Sequence, residues 1–156
     1  MIANGGGVIL NMSSSVVYLV PWGTVRDDRG WSLSYAAGKA GIDQVGKLVN
    51  AELGSAGVLA YTVEPGYVAY GGASGKRLDP KEKVPVTPAE AIEAAIAWLV
   101  REPEATRLLS KRIHLPAITE KHRLLPGWEC PGSPYRGGDL VLAEFHRAGE
   151  AHSGLL

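Results

Sequence analysis

The sequence has one cysteine, no excess of either charge and no long apolar run, and each shortage removes a class of protein. Cys130 cannot close an internal disulfide and has no companions at metal-ligand spacing, so it fits a reducing compartment. With 16 basic residues against 16 acidic ones, the formal net charge is zero and supplies no general attraction to nucleic acid. No apolar stretch reaches the roughly 18 residues that a membrane span requires. The first residues also lack the basic start and apolar core of a signal peptide. A cytoplasmic protein that touches neither nucleic acid nor membrane is expected. Two weaker patterns also fall away. "GGASGKR", 71–77, has a glycine spacing one short of a phosphate loop, and Arg77 stands where that loop needs serine or threonine. His114 and His122 are eight apart without companion ligands, and read as strand and surface residues.

What is present is an ordinary globular composition. The 156 residues suffice for one domain with a real core, and 46% of them are hydrophobic against 21% charged. "GGGVILNMSSS" opens with glycines, then a short apolar run from Val8 to Met12, then serines. A run without alternation suits a parallel strand covered on both faces. Residues 16–31 mix apolar and turn-forming types and read as a long loop. A helix is predicted from about Ser34 to Leu53, capped by Ser32 or Ser34 and stopped by Gly54, with Ile42, Val45, Val49 and Leu53 as its buried stripe. "GVLAYTVEPG" supplies a second apolar strand, Val58 to Val63, ended by Pro65 and Gly66. Strand, helix, strand in this order predicts a βαβ unit with parallel strands.

Residues 70–86 read as a surface loop. Thr87, Pro88 and Glu90 predict a capping box at the head of a helix whose apolar stripe is Ile92, Ala95, Ile96 and Leu99. Pro103 ends it, a weak turn follows over Glu104 to Ser110, and "RIHL" is a third candidate strand. Residues 129–156 read as an irregular tail, apart from a short helix near Leu140 to Arg147.

Chemistry concentrates at one edge of this arrangement. In a parallel α/β sheet, ligands bind beyond the carboxyl ends of the strands. Ser13, Ser14 and Ser15 end the first strand there, Tyr35 and Lys39 begin the next helix, and Pro65 and Gly66 end the second strand. Tyr35 and Lys39 are four apart and share a helix face. A neighbouring ammonium and the positive end of a helix both favour a phenolate. A serine hydroxyl across the rim can hydrogen-bond the oxygen of a carbonyl or alcohol. Together these are parts for moving a proton to or from that oxygen. A Tyr-x-x-x-Lys pair alone is common, and serines at a strand end are usually turn formers. Their joint order, with small residues between tyrosine and lysine, is what carries the reading.

That order resembles the short-chain dehydrogenase/reductase family. The resemblance lies in "GGGVILNMSSS", in "SYAAGKAGIDQVGKLVNAELGSAGVLAYTVEPGYV", in "TPAEAIEAAIAWLV" and in "LLPGW", covering residues 1–128. It implies an α/β fold, part of a Rossmann-like three-layer sandwich with a parallel sheet and flanking helices. It further implies Tyr35 as general acid/base, Lys39 as the group that eases the phenol's ionisation and holds the nicotinamide ribose, and Ser14 as the group that polarises the substrate oxygen. Ser13 and Ser15 are possible substitutes for Ser14. Pro65, Gly66 and Val68 are placed against the nicotinamide end of NAD or NADP. The implied reaction is reversible hydride transfer between that cofactor and a small-molecule alcohol/ketone pair.

The family's TGxxxGxG loop and NAG stretch are not in this sequence, and "GGG" at 5–7 precedes a strand instead of joining a strand to a helix. Met1 falls where family members have the end of a preceding helix, so the chain is expected to begin at an internal methionine and to lack the dinucleotide-binding half. The segment between Ser14 and Tyr35 is longer than in typical members. With Tyr18, Trp22 and Trp31, it hints at a lip over an apolar substrate. Tyr70 stands where a threonine that contacts the carboxamide is expected. The resemblance implies a homo-oligomer built through the tyrosine-bearing helix. The alternative is a non-catalytic remnant that acts only by packing on a partner chain.

Overall fold

The computed structural model describes residues 1–17, 32–66, 68 and 86–130. Tyr18, Trp22, Trp31, Tyr70, the 71–77 segment and the tail helix expected near Leu140 lie outside these residues.

The two apolar runs form β1 (Gly7–Met12) and β2 (Val58–Glu64), which pair in parallel from Gly7↔Val58 to Met12↔Val63. The "RIH" run forms β3 (Arg112–His114), parallel to β2 on its other side, from Thr62↔Arg112 to Glu64↔His114. The order β1-β2-β3 puts β2 in the middle, and it is buried at every residue except Leu59. β1 differs from expectation. It is an outer strand among the described residues, and Val8 and Met12 on it are exposed. An apolar run without alternation therefore marked a parallel strand correctly, but not burial on both faces.

Between β1 and β2 lies α1 (Leu33–Leu53), and after β2 comes α2 (Ala89–Arg101). Side chains alternate across the sheet. Tyr61, Val63 and Ile113 point to one face and form the core with Ala95 and Leu99 of α2 and with Leu115 and Ile118. Thr62 points the other way, toward Gly46 of α1. A helix thus covers each face of a parallel sheet, the three-layer α/β arrangement.

Of the stripe predicted for α1, Ile42, Val49 and Leu53 are half-buried and Val45 is exposed. Asp43 and Gly46 are its buried residues, whereas Val45 is 51% exposed and Leu48 56% exposed. The reason is steric. A Cβ on Gly46 would lie 2.4 Å from Thr62 Oγ1 and 3.0 Å from Asn11 Nδ2, so the bare backbone lets the helix sit close against both strands. Farther along, Asn50 Nδ2 donates to the Ala60 carbonyl and Asn50 Oδ1 accepts from the Ala60 amide, each at 2.7 Å. β3 pairs only with residues from Thr62 onward, so Asn50 satisfies backbone groups of β2 that β3 is too short to reach.

The helix ends also correct two expectations. Gly54 takes ordinary right-handed geometry and leads into a 3-10 turn, Gly54–Ala56. The left-handed residue that stops the chain is Gly57, with φ of 78°. At α2 no capping box forms. Pro88 is the cap and makes no side-chain cap bond, while the Thr87 side chain is buried beside Gly66. A further helix, α3 (Leu115–Lys121), was not foreseen. Its residues Leu115 to Thr119 are all buried, so it has no polar face to create a helical period. Thr119 Oγ1 donates to the Ala91 carbonyl at 2.5 Å and ties α3 to α2. No helix among the described residues is long and apolar enough to cross a membrane.

Candidate active site

Because β1, β2 and β3 are parallel, their carboxyl ends share one rim, and that rim carries residues 12–14, 64–66 and 114. The first turn of α1 meets it. Ser32 caps the helix by accepting from the Tyr35 amide at 3.2 Å, which settles the choice between Ser32 and Ser34. Lys39, one turn further on, donates from Nζ to the Met12 carbonyl at 2.6 Å. Its ammonium lies 5.6 Å from the centroid of the Tyr35 ring, and Tyr35 is 43% exposed. Lysine and tyrosine are therefore neighbours at the end of β1, as their spacing predicts, with the phenol open to an incoming molecule.

The three serines part company. Ser13 is buried, and its hydroxyl donates to Asp43 Oδ1, so it is committed to the interior. Ser14 is half-buried, and its oxygen accepts from the Val16 amide at 3.4 Å. A serine oxygen that accepts in a turn retains its own O–H as a donor. Ser15 begins a 3-10 turn, Ser15–Val17. The end of β2 is stitched alongside, since the Ser13 amide donates to the Val63 carbonyl at 2.7 Å. Pro65, Gly66 and Val68 are half-buried beyond it.

Two features of the rim escape the sequence. The first is centred on Asp43, four residues after Lys39. One carboxylate oxygen takes the Ser13 hydroxyl, and the other takes Arg112 through Nε at 2.6 Å and through a second guanidinium nitrogen. This fork links α1, the end of β1 and β3. No local sequence signal marked Asp43, because packing alone fixes which side of α1 faces the sheet. The second is the pair Glu64 and His114, register partners on β2 and β3. Glu64 Oε2 and His114 Nε2 are 3.2 Å apart and both side chains are largely buried. Glu64 Oε1 accepts from the Gly66 amide at 3.1 Å.

Burial pushes the Glu64 carboxyl up to about 7, against the weaker opposing pull of the Gly66 amide and the Arg112 charge. Burial likewise pushes His114 down to about 4. An ion pair would move both groups in the opposite directions, so desolvation wins at this site and both groups are largely neutral between about pH 4 and 7. His122 is also lowered, chiefly by burial, and its ring stacks 4.1 Å from that of Trp98.

These residues can be tested against the dinucleotide that the sequence resemblance implies. The Lys39 ammonium has three N–H groups, and Met12 is the one hydrogen-bond acceptor it meets among the described residues. Beside it stands the exposed Tyr35 hydroxyl. Such a donor set fits a ribose diol and the reacting end of a nicotinamide nucleotide.

No protein-family model matches the sequence, and no curated protein matches it either. Solved structures do. A protein from Burkholderia xenovorans described as a short-chain dehydrogenase/reductase is 26% identical, with a TM-score of 0.54, over 73% of this chain and 44% of its own. A second short-chain dehydrogenase/reductase family protein is 25% identical, with a TM-score of 0.52, over 73% of this chain and 46% of its own. The angucycline C-6 ketoreductase LanV, solved with bound NADP, is 23% identical with a TM-score of 0.55, over 71% of this chain and 42% of its own. The chain therefore has part of the short-chain dehydrogenase/reductase fold and spans less than half the length of the structures it resembles.

Proposed function

We propose that this chain carries the catalytic rim of an NAD(P)-dependent oxidoreductase that interconverts an alcohol and a carbonyl. The observation that carries the proposal is the anchoring of Lys39 to the Met12 carbonyl beside an exposed Tyr35, at the carboxyl end of a parallel strand. The nicotinamide supplies or accepts the hydride when bound. Tyr35 gives a proton to the substrate oxygen in reduction and takes it back in oxidation. Lys39, fixed by β1, presents its remaining donors to the ribose and its charge to the phenol oxygen. Ser14 donates its hydroxyl to the substrate oxygen. Pro65, Gly66 and Val68 flank the nicotinamide. The NADP bound to LanV and the 25–26% identity of the two dehydrogenase/reductase relatives support this reading.

A second reading is a non-catalytic chain that works by packing on a partner, a second copy of itself included. The exposed Val8 and Met12 on an outer strand, with Val45 and Leu48 exposed on α1, favour it.

Titration with NADPH and NADH, followed by tryptophan quenching, separates the two. The oxidoreductase reading expects saturable binding, ketone-dependent NAD(P)H oxidation, and a loss of turnover of about 10²–10⁴-fold in Tyr35→Phe with cofactor affinity retained. Absence of binding at millimolar cofactor sinks it for this chain.

A further inference from the structure

Glu64 and His114 belong to none of the roles above, yet they stand directly behind the turn assigned to the nicotinamide. Glu64 is buried, and it holds the Gly66 amide with one oxygen while facing His114 Nε2 with the other. Gly66 has φ of 71°, in the left-handed region, and its inner side is closed. A Cβ there would meet Thr87 Oγ1 at 2.6 Å, Pro116 Cγ at 2.9 Å and His114 Nε2 at 3.6 Å. The turn therefore rests on the Glu64–His114 pair and on Thr87.

We propose that Glu64 and His114 share a single proton and, through the Gly66 amide, set the geometry of the Pro65–Gly66 turn, so that cofactor affinity follows the protonation of this pair.

The contact between Glu64 Oε2 and His114 Nε2 accommodates two protonation states. With the proton on Glu64 Oε2, the carboxyl O–H donates to a histidine whose other nitrogen carries the ring hydrogen. When solvent removes one proton, the histidine changes tautomer, and its Nε2–H donates to the carboxylate. The Glu64–His114 contact survives, but the charge does not stay the same. The second state carries a full negative charge, which strengthens the bond from the Gly66 amide. The upward shift of Glu64 to about 7 places the loss of its proton near neutral pH, where the downward shift of His114 keeps the ring uncharged. The other charges facing Glu64 among the described residues are Arg112 on β3 and, behind it, Asp43 on α1. Thr87 and Pro116, from the approaches to α2 and within α3, bring no charge.

The coupling to cofactor rests on the proposed function, so the test has two arms on the full chain. In the first, the Gly66 amide resonance is followed by NMR against pH without cofactor. It should move with a midpoint near 7 in the native chain. Glu64→Gln should keep the amide near its low-pH position at every pH, because the glutamine oxygen still accepts but does not titrate. Glu64→Ala should displace it at every pH. A Gly66 amide that titrates equally in Glu64→Gln, or not at all in the native chain, overturns the proposal. In the second arm, NADPH affinity is measured over the same range. A pH-dependent affinity that becomes flat in Glu64→Gln supports the coupling, and identical pH profiles in both chains refute it. Absence of NADPH binding at every pH refutes the coupling and the oxidoreductase reading together, whereas the amide titration still decides whether the pair sets the turn.

Discussion

Gly46→Ala puts the packing of α1, the helix that carries Tyr35 and Lys39, to a quantitative test. At an exposed helix position, alanine is worth about 1 kcal/mol more than glycine. Gly41, on the same helix, has nothing within 4 Å of its would-be Cβ, so Gly41→Ala should show that gain. At position 46 the new methyl would lie 2.4 Å from Thr62 Oγ1 and 3.0 Å from Asn11 Nδ2. Asn11 and Thr62 are register partners in the paired strands, so neither backbone can retreat. Either Thr62 turns its side chain or α1 lifts from the sheet, and overpacking of this kind costs about 1–3 kcal/mol. Subtracting the propensity gain leaves a net loss of up to about 2 kcal/mol, a change opposite in sign to that at Gly41. Urea unfolding followed by far-UV circular dichroism reads both as shifts in midpoint at constant slope. In a Thr62→Ala background the closer clash disappears, so Gly46→Ala should cost less there, with coupling above about 0.5 kcal/mol in the double-mutant cycle. If Gly46→Ala raises the midpoint as much as Gly41→Ala does, the close docking of α1 is wrong.

Asp43→Ala removes the acceptor for both Ser13 and Arg112, so it should destabilise by about 1–3 kcal/mol in the same assay. A loss below about 0.5 kcal/mol would show that the fork is a surface contact. The stability of the Glu64–His114 site should depend on pH with opposed signs. The folded chain holds the Glu64 proton up to about 7 against 4.5 unfolded, so its contribution is complete below 4.5 and is lost as pH rises toward 7. His114 is kept neutral down to about 4 against 6.5 unfolded, so its contribution is complete above 6.5 and is lost as pH falls toward 4. Between 4.5 and 6.5 the two slopes oppose each other in the native chain. Relative to native, Glu64→Gln should gain stability as pH rises across this window and His114→Asn should lose it, each by up to about 1.4 kcal/mol per pH unit. Parallel slopes in the two variants would refute the assignment of the shifts.

Most of the architecture is legible in local sequence. Runs of apolar β-formers between glycine and proline mark β1 and β2, and Ser32, with the helical spacing that follows, marks α1. The spacing of Tyr35 and Lys39 places both on one helix face, and in the structure the ammonium is 5.6 Å from the ring. The misses have physical causes. α3 is buried without a break from Leu115 to Thr119, so those residues show no polar period. Thr87 fits a capping box in sequence, yet its side chain is buried beside Gly66 and Pro88 takes the cap.

Sequence by itself determined the succession from β1 through α1, β2 and α2 to β3 and the residue types at the rim, because both follow from periodicities and punctuation within a few residues. Tertiary structure alone decided which side of α1 faces the sheet, because the depth of docking depends on Gly46 meeting Thr62 and Asn11. It alone decided that Ser13 serves Asp43, while Ser14 stays half-buried at the rim. It alone brought Glu64 against His114, 50 residues away, through the register of two short strands, where burial outweighs their mutual attraction. Such contacts arise only when separate segments close on one another and exclude water, and no local pattern of residues encodes that.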